Sequence, residues 1–293
     1  MPSAQPSQEG PVNVRTWPEG VDPKPFMGMN DFCDLVWHRG LELYRDLPWR
    51  HTHDPYAIWI SEVMLQQTQV SRVDGRWQRW LQRFPTVEDL ARADKADVLE
   101  EWQGMGYNRR ALALRDAALA ITQRSVGFPQ DEKDLQGLPG IGPATAAGIR
   151  AFAFGLPSTY LETNVRAVFL HHLYPAEEGV PDKRLLPLVR AACSPDDPRG
   201  WYYALLDYGA WLKRTVPNPS RRSRGHVRQS GFEGSHRQKR AQVVRLLLGA
   251  RPDGITAQQV ASGVGTDEAS ARALLDELSA EGFCVRSGDM WCV

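Results

Sequence analysis

The chain has 293 residues with 35 basic and 35 acidic side chains, so a wholesale polycation is excluded as the basis of any nucleic-acid binding. Its 42% hydrophobic content suits a soluble chain large enough for two domains. No apolar run approaches the roughly 20 residues of a membrane span, and no basic-then-apolar leader opens the sequence, so a cytoplasmic protein without a membrane partner is expected. Cys33, Cys193, Cys284 and Cys292 include no Cys-x-x-Cys pair, which points to unpaired thiols in a reducing compartment.

Residues 1–25 are rich in Pro, Ser, Gln and Gly and read as a disordered tail. Helical spacing follows over 29–47 (Phe32, Leu35, Val36, Leu41, Leu43, Tyr44), stopped by Pro48-Trp49-Arg50. A strongly apolar helix is predicted from about Tyr56 to Val70, with Ser61, Glu62, Gln66, Gln67 and Gln69 as its polar members. Asp74–Arg83 reads as amphipathic. Thr86, with Glu88 and Asp89 behind it, is placed to cap the next helix. A short helix near Ala96–Trp102 leads into Gly104-Met105-Gly106-Tyr107, and a longer one runs from Arg109 to Arg124.

Leu138-Pro139-Gly140-Ile141-Gly142-Pro143-Ala144-Thr145 then forms a tight turn that opens a helix over Ala146–Phe154. Backbone N–H groups at such a turn, with the helix dipole behind them, favour a phosphate without a basic side chain. Downstream, Glu162-Thr163-Asn164-Val165 puts a carboxylate at the edge of an apolar stretch, where desolvation can tune it. Helices are expected from Val165 to about Leu173, near Leu185–Ala192 and over Trp201–Lys213, and no strand-like alternation precedes residue 250.

From Lys213 to Arg240 nine Lys/Arg stand against one acid, a local basic arm in a neutral chain. The last sixty residues read as helix (Gln238–Leu248), a short extended piece (Gly254-Ile255), a helix opened by the capping box at Thr256, a third helix opened by Thr266, and a hairpin near Ser287-Gly288-Asp289. That is a winged-helix pattern. Its third helix carries Asp267, Glu268, Asp276, Glu277 and Glu281 against Arg272, so a DNA-groove role and a protein-contact role stand side by side.

Taken together, the string Ser61-Glu62-Val63-Met64-Leu65-Gln66-Gln67-Thr68-Gln69-Val70, the Trp102–Tyr107 turn, the Leu138 hairpin and the Glu162 segment closely resemble the helix-hairpin-helix DNA glycosylases, and within them the adenine DNA glycosylases. The resemblance covers roughly residues 30–215. It implies a mainly α helix-hairpin-helix glycosylase domain over 26–215, to which the residue pattern adds a basic linker over 216–235 and a winged-helix domain over 236–293. It implies base flipping from double-stranded DNA by a monomer, with Gln66 and Tyr107 wedging the stack. Leu138, Gly140, Ile141, Gly142 and Thr145 are expected to anchor phosphate. Glu62 is implied as the general acid, Glu162 as the charge that stabilises an oxocarbenium-like sugar, and Asn164 as a positioning residue.

Four departures shape the expectation. The family's Asp-Gly-Asn is Glu162-Thr163-Asn164 here. Ala144 stands where related endonuclease III enzymes carry a lysine nucleophile, so hydrolysis without strand cleavage is expected. The family places four cysteines shortly after the segment matching Leu206–Ala210, and Lys213–Arg222 contains none, so no iron–sulfur cluster is expected, and Arg221, Arg222, Arg224 and Arg228 take over phosphate contact. The winged helix replaces the family's Nudix-like domain. The resemblance adds a candidate monovalent-cation site at the hairpin carbonyls. The expected function is excision of mispaired adenine opposite 8-oxoguanine or guanine; the alternatives are a glycosylase for another mismatched, alkylated or modified base, and a non-catalytic lesion-binding factor.

Overall fold

The computed structural model describes residues 15–21, 24–227 and 231–293. In chain order its helices are α1 (Met29–Glu42), α2 (Pro55–Leu65), α3 (Val70–Val73), α4 (Arg76–Arg83), α5 (Val87–Arg92), α6 (Lys95–Glu101), α7 (Arg109–Thr122), α8 (Glu132–Gln136), α9 (Pro143–Phe154), α10 (Thr163–Leu173), α11 (Asp182–Ala192), α12 (Pro198–Thr215), α13 (His236–Gly249), α14 (Ala257–Val264) and α15 (Glu268–Ala280). Three short strands, β1 (Ile255–Thr256), β2 (Val285–Ser287) and β3 (Met290–Cys292), form an antiparallel sheet in the order β1-β3-β2. The mainly α fold with a C-terminal winged helix follows.

The helices form two compact units that interleave along the chain: residues up to Asp46 with Gly155–His226, and Leu47–Phe154 with Val227–Val293. In the first, α1 and α10 pack against α12. Phe32 of α1 is fully buried between Phe169 and Trp201. Asp207 is fully buried in α12. Its carboxylate takes the Arg45 guanidinium at 2.5 Å and the Arg45 backbone N–H at 3.1 Å. That contact explains why α1 ends at Glu42 rather than running to 47: the Arg45 N–H has a side-chain acceptor, and Pro48 forces Leu47 into extended backbone. Part of the segment expected to be disordered is docked here. Trp17 sets its edge on Phe32 and donates to the Met27 carbonyl at 2.7 Å. The rest of that expectation, residues 1–14, 22 and 23, lies outside the described residues.

In the second unit α2 is buried around its circumference, as a central helix must be. Asp54 caps it, accepting from the Tyr56 and Ala57 N–H groups. It stops at Leu65, not near Val70, because Gln67 turns left-handed (φ 53°). Thr86 caps α5 as expected, and with Asp89 it closes a full capping box; α5 packs on α7 while α9 packs on α2. The C-terminal three helices and sheet belong to this unit, with the Thr256 capping box in place. The cap of α15 is Asp267, whose shorter carboxylate reaches the Ser270 N–H at 2.8 Å; Thr266 instead closes the turn after α14 through its backbone. Before residue 250 the described chain has only one isolated bridge, Val180 with Ser223, in keeping with the absence of strand patterning.

Candidate functional site

Glu62 is the only charged residue of α2, half-buried on a helix where Trp59, Ile60, Val63 and Met64 are all buried. Just past the end of that helix, Gln66 caps it through its N–H to the Val63 carbonyl. The Gln66 side-chain amide donates to the Thr145 hydroxyl of α9 at 3.0 Å. Gln66 therefore sits on a turn, not on a helix face as its periodicity suggested.

The hairpin between α8 and α9 is held from inside by the buried side chains of Leu138 and Ile141. Its two glycines have different reasons to be glycine. Gly140 has φ 74°, and a Cβ there would stand 2.8 Å from the Ala113 Cβ on α7. Gly142 meets nothing within 4 Å of that position and is exposed. It opens the first turn of α9, where the backbone N–H groups have no intrahelical acceptor. Thr145 is buried one turn in, so its hydroxyl serves Gln66 rather than the surface.

Tyr107 lies between α6 and α7, 42% exposed and left-handed at φ 49°. Arg237 of α13 donates to its hydroxyl at 2.8 Å and lies over its ring. A cavity of about 500 Å³ opens beside these elements, lined by Trp59, Gln66, Arg110, Pro139, Gly140 and Glu281.

The other candidate residues belong to the first unit. Glu162 is the N-cap of α10, and its Oε1 accepts from the Asn164 N–H at 2.5 Å and the Val165 N–H at 2.9 Å. The longer side chain thus reaches the two N–H groups that a shorter capping residue ordinarily takes. The Asn164 side-chain amide lies 3.4 Å from Oε2. Burial pushes the Glu162 carboxyl above the ordinary carboxylate range, against the pull of the two N–H groups, Lys213 and Arg166. Lys213 at the end of α12 is pushed down by its own burial, and Glu162 opposes that shift.

The start of α10 is seated on α12 at Gly209. A Cβ there would stand 2.2 Å from the Asn164 carbonyl oxygen.

The arginines after α12 divide. Arg221 and Arg224 are exposed. Arg222, expected to contact phosphate, is turned inward: its guanidinium donates to the carbonyls of Leu170 (2.8 Å), Tyr174 (2.7 Å) and Pro175 (2.5 Å). A cation at the C-terminal end of α10 satisfies carbonyls that the helix leaves open. Arg228 lies outside the described residues. Among the described residues no group of three or more His, Cys, Asp or Glu could hold a metal ion, and no helix is long and apolar enough to cross a membrane.

Sequence reasoning missed Arg110, Gly209, Lys213 and Arg237. Gly209 carried a signal, a lone glycine inside a helical pattern. The others looked like ordinary surface cations.

A tight hairpin that opens a helix and the single charged residue of a buried helix are features of a known class: residues 60–190 match the HhH-GPD superfamily of base excision DNA repair proteins. A solved thermostable thymine-DNA glycosylase is 25% identical, with a TM-score of 0.55 over 62% of this chain and 86% of that one. An endonuclease III–DNA covalent intermediate shares the fold at 18% identity and a TM-score of 0.51, over 70% of this chain and 89% of that one. Adenine DNA glycosylase from Mycolicibacterium smegmatis is 38% identical over 57% of this chain and 58% of that protein. That from Mycobacterium tuberculosis is 30% identical over 87% of this chain and 90% of that protein. The chain belongs to the adenine DNA glycosylase family.

Proposed function

We propose that the protein binds double-stranded DNA and hydrolyses the N-glycosidic bond of a flipped-out adenine mispaired with 8-oxoguanine or guanine. The observation that carries the reading is Glu62, a lone charge on a helix otherwise committed to the core. A half-buried carboxyl beside the buried Trp59, Val63 and Met64 is placed where a proton donor can be held for a reaction. The relatives named for adenine excision support the choice of base.

In this reading Gln66 and Tyr107 fill the space left by the extruded base, while the Gly140–Gly142 turn and the exposed Arg221 and Arg224 hold phosphates. The Glu62 carboxyl gives its proton to a ring nitrogen of the adenine as the bond to the sugar breaks, and the base leaves neutral. The Glu162 carboxylate supplies negative charge to the oxocarbenium-like sugar, with Asn164 holding its position. Water adds at the sugar carbon, and its proton returns to Glu62. Position 144 is an alanine, so no amine there competes with water and the enzyme is monofunctional. The donor set does not fit an iron–sulfur cluster, because the segment after α12 contains no cysteine and is occupied by the Arg222 contacts. The protein acts as a monomer in the cytoplasm.

Purified protein should release free adenine from an 8-oxoguanine:adenine duplex, and Glu62→Gln should abolish release while binding persists. Absence of release from every base in a lesion panel would sink the reading. A second reading has its own support: the Glu162-Thr163 departure and the likeness to a thymine-DNA glycosylase favour thymine opposite guanine. The same panel decides between them.

A further inference from the structure

The described chain has two non-glycine residues with left-handed backbone, Gln67 (φ 53°) and Tyr107 (φ 49°). They lie 40 positions apart in sequence, each in a turn that carries a proposed wedge residue: Gln66 beside Gln67, and Tyr107 itself. Left-handed backbone is strained at a non-glycine residue and persists where surrounding structure over-determines it.

One guanidinium meets both turns. Arg110 Nη1 donates to the carbonyls of Val63 (2.7 Å) and Gln66 (2.7 Å), with Met64 at 3.3 Å. Its Nη2 donates to the carbonyls of Met105 (3.0 Å) and Gly106 (3.0 Å), with the Thr68 hydroxyl at 3.3 Å. The cation lies over Trp102 (5.0 Å) and Tyr107 (5.7 Å). Burial pushes its pKa down to about 10, so it stays charged at neutral pH.

No carboxylate is among these contacts, and all the acceptors belong to the two turns and the end of α2. Nη1 covers the first turn and Nη2 joins the second to Thr68. Lysine cannot reproduce this, because an ammonium lacks the planar fork that bridges two acceptors in fixed directions.

We infer that Arg110 is a positioning residue that locks the Gln66 turn to the Tyr107 turn, so that the two wedges enter the base stack as one rigid tool. This rests on the reading of Gln66 and Tyr107 as wedges. The Arg110 guanidinium is directed into the two turns, so its part is to hold Gln66 and Tyr107 in place.

The test uses the full chain and an 8-oxoguanine:adenine duplex with 2-aminopurine next to the adenine, whose fluorescence rises on unstacking. Arg110→Lys should slow the fluorescence rise and single-turnover adenine release by about 10²-fold, the cost expected of a misplacement near 1 Å. Its affinity for undamaged duplex should stay close to that of the wild type, since phosphate contacts are elsewhere. In a Gln66→Ala/Tyr107→Ala background the same substitution should have almost no further effect. Adding Gln67→Gly to Arg110→Lys should restore part of the rate, because glycine adopts φ 53° without strain.

Full unstacking by Arg110→Lys, or a loss that simply adds to that of the wedge variants, overturns the inference. If Arg110→Lys does not fold, the Gln67→Gly addition decides: no recovery of fold or unstacking overturns it too. A Gln66→Ala/Tyr107→Ala protein with wild-type unstacking would instead show that the wedge reading is at fault.

Discussion

Gly209→Ala is the sharpest perturbation of the Glu162 segment, because it adds one methyl group in a residue of α12 that takes no part in chemistry. The new Cβ would lie 2.2 Å from the Asn164 carbonyl oxygen, 2.6 Å from its carbonyl carbon and 2.8 Å from its Cα. A carbon–oxygen contact relaxes near ~3.2 Å, so the start of α10 must retreat from α12 by about 1 Å, since van der Waals repulsion at closer range is steep. The atoms it meets are backbone, which cannot swing aside as a side chain would. Overpacking of this kind costs about 1–3 kcal/mol, read as a fall of several degrees in Tm for a chain of this size. Asn164 and the capped Glu162 move with the helix start, and a displacement near 1 Å in a catalytic group lowers the rate by about 10²-fold. Single-turnover release of adenine from an 8-oxoguanine:adenine duplex, measured beside thermal unfolding, checks both effects. A lowered Tm with an unchanged rate refutes the reasoning, because it would mean that the helix start can move without moving the chemistry. An unchanged Tm refutes it earlier, at the packing step.

Three further outcomes follow from the geometry. Gly142→Ala should fold normally, since nothing stands within 4 Å of the added Cβ, yet lose duplex affinity at the hairpin; Gly140→Ala should lower Tm because it meets both φ 74° and the Ala113 methyl, and equal Tm values for the two would contradict the distinction. Asp207→Ala removes the buried acceptor of the Arg45 guanidinium and backbone N–H, and since Arg45 keeps partial access to solvent a loss of about 1–3 kcal/mol in chemical denaturation is expected; a change under ~1 kcal/mol, the value of a surface pair, would show the site to be effectively solvated. The raised Glu162 carboxyl binds a proton more readily when folded than unfolded, so its contribution to stability is greatest below the ordinary carboxylate range and falls as pH rises through the folded value. Wild type should therefore lose stability relative to Glu162→Gln across that window, and the acidic limb of single-turnover base release should lie above the ordinary carboxylate range; a limb at the ordinary position would count against the buried carboxylate as the titrating group.

Much of this protein was legible in residue order. Helices with Gly and Pro between them gave the mainly α class, because periodicity and chain breakers act locally. The Leu138 hairpin was legible for the same reason: its glycines, apolar pins and following helix lie within eight residues. Glu62 stood out as a lone charge on an apolar helix. Tertiary structure decided what sequence order cannot hold, namely which distant groups share a partner. It ended α2 at Leu65 and put Gln66 on a turn, where Arg110, 44 residues away, takes its carbonyl. It turned Arg222 from the basic arm onto the end of α10. It made Glu162 a helix cap and seated that helix on Gly209. Local propensity fixes where helices form, whereas the direction of a long side chain and the strain of a left-handed turn depend on contacts across the fold.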